Sequence, residues 1–239
     1  MKPTVPYQPL LLRILHGLTG VFLLLAMASA LWTYSTYDGR WGKLPLPDYR
    51  AIEGIHGTFG LYTLLIFPVF VFYAFHRGQQ RLALRNTLST LVHVGKPTWW
   101  YSLSRLTNTL SLVALTFAMF SGKMMSEKWL PQGELDHFWY YAHLVSWGVM
   151  GVAIALHLLL NAKVGGLSFL GSMLHSKFLA QDSPKHWKNH IIAWWSSFQL
   201  NSWADWRRAI LKRPKLELAI WISLIAAWLI SLSKELMAI

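Results

Sequence analysis

The chain has 239 residues, 54% of them apolar and only 13% charged, a balance that excludes an ordinary soluble domain. It contains no Cys, which excludes disulfides, thiolate metal sites, iron–sulfur clusters and the covalent attachment of c-type haem. The net charge of +12 is of the size seen in nucleic-acid binders, but its distribution has a simpler origin in membrane topology, and no nucleic acid is expected as a partner.

The apolar residues fall in blocks of about twenty, the length a helix needs to cross a bilayer, and they predict five spans. The first, Pro9–Thr33, carries His16, with Arg13 one turn before it. Lys2, Arg13, the apolar run and Ala28-Ser29-Ala30 together resemble a cleavable signal peptide. Cleavage would discard His16, so the segment is expected to be retained. The connection Tyr34–Arg50 has mixed charge, and the second span, Ala51–Phe75, carries His56 near its start. The segment His76–Ser104 holds Arg77, Arg81, Arg85 and Lys96 without an acid, and leads into a third span at Leu103–Met125.

The connection Ser126–Asp136 is slightly acidic, and the fourth span, His137–Asn161, carries both His143 and His157. The segment Ala162–Lys215 then sets nine Lys and Arg against Asp182 and Asp205, and the last span is Leu216–Leu232. Basic connections stay on the inner side of a membrane, so the N-terminus is expected inside and the C-terminus outside. Aromatic residues at the block ends (Trp32, Tyr34, Trp99, Trp100, Trp129, Trp139) suit the interfacial belts. Within the basic segment, Trp187, Trp194, Trp195, Trp203 and Trp206 alternate with Lys and Arg, as in a helix lying in the headgroup plane. That helix anchors the bundle or, as a less favoured reading, docks a partner. No internal repeat is evident.

Histidine inside a span is costly and therefore a functional candidate. His143 and His157 are fourteen residues apart, which is about four turns and roughly 21 Å of helix rise, so both leave one face at two depths. With the orientation derived from charge, His16 shares its depth with His157 near the inner surface, and His56 shares its depth with His143 near the outer one. Two bis-histidine pairs result, each suited to a non-covalent b-type haem. The bland reading of any one of these residues is a hydrogen-bonded packing histidine, but four that pair by depth favour ligation. Gly17, Gly20, Gly57, Gly60, Gly148 and Gly151 lie beside them, suited equally to close helix packing and to a flat cofactor. Arg13 is expected either to neutralise a haem carboxylate or to serve only as a topology-setting charge. His137 is the main rival to His143 but sits too shallow. His76, His93 and His175 look interfacial. His186 and His190 have the i, i+4 spacing of a metal pair without a third ligand, and are expected on the surface.

The run Arg13-Ile-Leu-His16-Gly17, the run His56-Gly-Thr-Phe-Gly60, Phe120-Ser-Gly122, and His143 with thirteen residues before His157 resemble the dihaem four-helix membrane cytochromes. These comprise the bacterial cytochrome b561 family and the related cytochrome b subunits of formate dehydrogenases and nickel–iron hydrogenases. The resemblance covers roughly residues 8–165. It implies two b haems ligated by His16, His56, His143 and His157, and exchange of electrons with a quinone or a partner redox protein. It also implies a bacterial inner membrane or a related energy-transducing one. The chain would act among lipid, alone, as a homodimer or as a subunit of a larger complex. The basic Trp-rich segment and the fifth span depart from the family's four-helix core.

The expected fold is thus an all-α membrane protein: a four-helix haem-binding bundle over residues 1–165, an inner-surface interfacial helical segment over 166–215, and a fifth helix over 216–239 packed outside. Two rival functions use the same residues differently, a transporter or proton relay and a non-redox scaffold subunit. The first would place acids within the spans, where almost none occur: Glu53, Asp136 and Glu217 lie at edges.

Overall fold

The computed structural model describes residues 7–83, 87–197 and 213–238, and these are helical with no strand among them. The long helices are α1 (Leu10–Tyr37), α2 (Ile52–His76), α3 (Pro97–Met124), α4 (Phe138–Ser172), α5 (Pro184–Ser197) and α6 (Lys215–Ala238). All but α5 are long and apolar enough to cross a membrane, so the five expected spans are present. Buried hydroxyls inside them bond back to carbonyls three or four residues earlier, as Ser29, Thr63, Thr107 and Thr116 do. Those bonds satisfy polar groups that lipid could not.

The spans run past their apolar blocks, α1 to Tyr37, α6 to Ala238, and two others at a Pro or a Gly. α3 starts six residues before Leu103, with Pro97 at its first turn, where the missing N–H costs nothing and the fixed φ suits a helix. α4 runs eleven residues past Asn161 to Ser172 and bends where Gly166 takes φ 70° and ψ 178°. Only Gly adopts that conformation freely, so Gly165-Gly166 bends the helix without ending it. A Cβ on Gly165 would lie 2.5 Å from the Phe169 side chain, so the bend also needs the small residue there.

Helix pairs organise the bundle. α1 packs along α2, and α3 along α4, whereas backbone approaches between the two hairpins are sparse. α6 lies against α3 and more lightly against α2. Its Ile220, Leu224 and Ala227 are fully buried in a core shared with Phe67 and Val71 of α2 and with Leu112, Leu115 and Met119 of α3. The fifth helix is therefore outside the four-helix arrangement but forms the backing of one of its walls.

The segment after α4 returns to the N-terminal end of α1. Asp182 accepts the backbone N–H of Leu10 (2.7 Å) and the hydroxyl of Tyr7, which supplies a carboxylate to a helix N-terminus that has no cap of its own. Arg13 donates to the carbonyls of His175 and Lys177. In α5, Ile191 and Ile192 are exposed. The side chains of His190, Trp194 and Trp195, and the whole of Trp203, Trp206, Arg207, Arg208 and Lys212, lie outside the described residues. At the opposite end, Arg40 joins the hairpins: it pairs with Asp38 (2.7 Å) and donates to Tyr141 (2.7 Å), while Tyr140 donates to Asp38 (2.6 Å).

Candidate functional site

A cavity of about 1300 Å³ opens between the hairpins and is lined by residues of α1, α2, α3, α4 and α6, among them His56 and His143. The ring centres of His56 and His143 are 6.0 Å apart. The Nδ1 of His56 lies 3.0 Å from the carbonyl of Ala26 and 3.3 Å from Ser29 Oγ. His143 repeats the arrangement on the other hairpin, with Nδ1 at 3.0 Å from the Ala118 carbonyl and 3.2 Å from Ser121 Oγ. A carbonyl only accepts, so each Nδ1 carries the proton and each Nε2 keeps its lone pair.

At the other end of the bundle the rings of His16 and His157 have centres 5.9 Å apart, and Phe70 meets His16 edge-on at 5.8 Å. The Nδ1 of His157 faces the amide oxygen of Asn108 at 2.9 Å. Thus α4 contributes one histidine to each level, α1 the second at one level and α2 the second at the other. All four rings are only partly covered by protein.

The spacing suits a metal between each pair. An imidazole nitrogen binds a first-row metal at about 2.0 Å and its ring centre lies roughly 1 Å further back, so two trans imidazoles hold their centres about 6 Å apart. Room for a flat macrocycle is also present. Gly57, Gly60 and Gly148 line the cavity, and a Cβ on any of them would meet no atom within 4 Å; the same is true of Gly17 and Gly20. Gly151 differs, since its Cβ would make ordinary contact with Met27, and it belongs to helix packing. Gly122 differs again: a Cβ there would come within 3.0 Å of His143 Cε1, so the glycine lets that ring lie against α3.

The remaining histidines have other surroundings. His137 stacks on Trp129 with ring centres 3.7 Å apart and lies 3.5 Å from Glu134. His76 stacks on Phe72 at the end of α2, and His93, His175 and His186 are exposed. Arg13 is buried, and while its terminal nitrogens hold carbonyls, its Nε has no partner among the described residues.

Ser29, Ser121 and Asn108 hold the rings, a role that the expectations above give to none of them. One signal for two of them is in the sequence: Ala26-Met27-Ala28-Ser29 and Ala118-Met119-Phe120-Ser121 are the same four-residue pattern, placed once on α1 and once on α3. It gives each hairpin a carbonyl and a hydroxyl one turn apart, facing the histidine of the neighbouring helix. Asn108 offers no comparable pattern.

Compared with known proteins, residues 7–176 match the family model described as prokaryotic cytochrome b561. No curated protein and no solved structure matches the chain.

Proposed function

The chain belongs to the prokaryotic cytochrome b561 family, and from that premise we propose that it carries electrons across the membrane through two b haems, one held by His16 and His157 and the other by His56 and His143. The observation that carries this reading is the recurrence of one ring spacing, 5.9 and 6.0 Å, at two levels of the bundle. When bound, a haem iron supplies one-electron chemistry between its ferric and ferrous states.

The protein's own contribution is positional. Carbonyls of Ala26 and Ala118 and the amide of Asn108 orient three of the rings, which presents Nε2 as the ligand and raises its basicity. Arg13 keeps a buried Nε–H without a partner among the described residues, and we assign it to neutralising a carboxylate of the haem beside His16. Residues 1–165 supply the ligands, the described part of 166–215 that follows α4 lies along the inner face, and α6 within 216–239 braces α2 and α3. The distribution of basic residues supports an N-terminus inside and a C-terminus outside, and the family supports a bacterial inner membrane or a related one as the setting. Electrons enter and leave through a quinone or a partner redox protein.

A proton relay or transporter built on the same histidines would require carboxylates beside them. Among the described residues no carboxylate is hydrogen-bonded to His16, His56, His143 or His157, and the buried Glu217 is paired with Arg213 at 2.8 Å.

The test is transfer across a sealed bilayer. Proteoliposomes with ferricyanide trapped inside and a membrane-impermeant reductant outside should reduce the trapped oxidant only when haem-loaded protein is present. An equal rate in protein-free vesicles contradicts the proposal.

Two further results are expected. A reporter fused after Ile239 should read outside and one inserted near Gln79 inside; the opposite pattern would invert the assignment of levels. Replacing Gly122 with Val should drive a branched side chain into the His143 ring, at a cost of about 1–3 kcal/mol if the ring cannot give way. The absorption of the haem on His56 and His143 should broaden or diminish while the other is unchanged. Equal loss at both levels would show that Gly122 acts on the whole bundle instead.

A further inference from the structure

The two levels are held by different means. His56 and His143 give their Nδ1 protons to backbone carbonyls, acceptors that no substitution removes. His157 gives its proton to a side chain, the Asn108 amide, at 2.9 Å. An amide can present either its oxygen or its nitrogen, and the choice decides which imidazole nitrogen is left bare.

Here the choice is fixed from outside the pair. The Asn108 Nδ2 donates to the carbonyl of Arg81 at 2.8 Å. Reversing the amide would set oxygen against oxygen there, so Oδ1 must face His157, and Nδ1 must carry the proton. The lone pair of Nε2 is then left bare for a metal. Asn161 Nδ2 donates to the His157 carbonyl at 2.7 Å and its oxygen accepts from Ser104 at 3.1 Å; its second hydrogen faces the same Nδ1 only at 3.3 Å, whereas Asn108 Oδ1, an atom that can only accept, is nearer at 2.9 Å and requires the proton on Nδ1. The carbonyl that orients Asn108 belongs to the turn Gln79–Arg81, whose Arg81 guanidinium holds Gln8 at 2.6 Å. A connection outside the spans thus determines the orientation of a ring inside them.

We propose that Asn108 is the positioning residue that fixes the tautomer of His157 and sets the potential of the haem shared by His157 and His16, an inference that rests on the dihaem reading above. Accepting a hydrogen bond from Nδ1 raises the basicity of the ligand and favours the ferric state. Asn108→Leu removes the acceptor and strands the N–H in an apolar setting, so the ferrous state gains and the potential rises. Asn108→Asp gives up the bond to the Arg81 carbonyl but sets a carboxylate, a negative charge and a stronger acceptor, beside the ligand, so the potential falls. Opposite signs from two substitutions at one site are not what general loosening of the bundle would produce.

The experiment is an optical redox titration of the full-length membrane protein, with haem content measured in parallel. Each substitution should shift the oxidised-to-reduced ratio of one haem by roughly tenfold, about 59 mV for one electron, in opposite directions, and leave the haem on His56 and His143 where it was. If Asn108→Leu loses the inner haem, Asn108→Asp decides alone: a lowered potential supports the role, and an unchanged or raised one overturns it. Shifts of the same sign, or none with both haems bound, also overturn it. Absence of haem from the unsubstituted protein would be a different failure, that of the dihaem reading itself.

Discussion

Replacing His56 or His143 with Ala will remove the same haem, and replacing His16 or His157 will remove the other. A haem that loses one of two axial imidazoles becomes high-spin or dissociates, so each single change should roughly halve the low-spin b-type absorption. The grouping follows from distance: the ring centres of the first pair are 6.0 Å apart and those of the second 5.9 Å, whereas His143 and His157 are roughly 21 Å apart along their helix. Within a pair the double substitution should look little worse than either single one, because both act on one site; across pairs the losses should add. His16→Ala with His143→Ala should leave no low-spin b-type absorption, and His16→Ala with His157→Ala should retain the haem on His56 and His143. His137→Ala should leave haem content unchanged, since His137 is stacked on Trp129 near Glu134. Loss of a haem on that substitution would reassign the ligand on α4.

Removing α6 by truncation after Pro214 should damage the haem on His56 and His143 far more than the haem on His16 and His157. Leu115 and Met119 are part of the core that Ile220, Leu224 and Ala227 bury, and both also line the cavity around His56 and His143. Ser231, Lys234 and Glu235 line that cavity directly, and Lys234 donates to the carbonyls of Lys123 and Met125 where α3 ends. Helix association in lipid rests on close packing of this kind, and each large core side chain lost typically costs about 2–5 kcal/mol. A thermal melt followed at the haem absorption should therefore lose one component at lower temperature and keep the other. Preferential loss of the haem on His16 and His157 would mean that α6 acts through the inner end of the bundle.

The spans were legible in the sequence because a bilayer imposes a length on apolar blocks, and their ends were less so because helices continue past the apolar core. Pro97 could have marked the start of α3, since Pro suits the first turn; the continuation of α4 through Gly165-Gly166 could not, since the pair reads as a stop as easily as a bend. Counting charges in the connections put His16 at the depth of His157 and His56 at that of His143, and these are the pairs whose rings meet. What the sequence concealed is the support of each ring. Ser29 and Ser121 are single hydroxyls in apolar runs, recognisable only through the repeated Ala-Met-x-Ser pattern. Asn108 gains its meaning from the Arg81 carbonyl, 27 residues distant in the chain, and no periodicity links the two. For Arg13 the sequence offers a partner for a haem carboxylate or a topology-setting charge, whereas in the fold two of its nitrogens also tie the segment after α4 to α1. Only a chain folded back on itself places the His175 and Lys177 carbonyls there.

The central claim is that this bundle holds two bis-histidine haems, and a reduced-minus-oxidised spectrum of the purified protein, with haem quantified per chain, tests it most directly. The account predicts sharp b-type bands from two low-spin haems per chain. A colourless protein, or one haem per chain that survives replacement of either histidine pair, would contradict it.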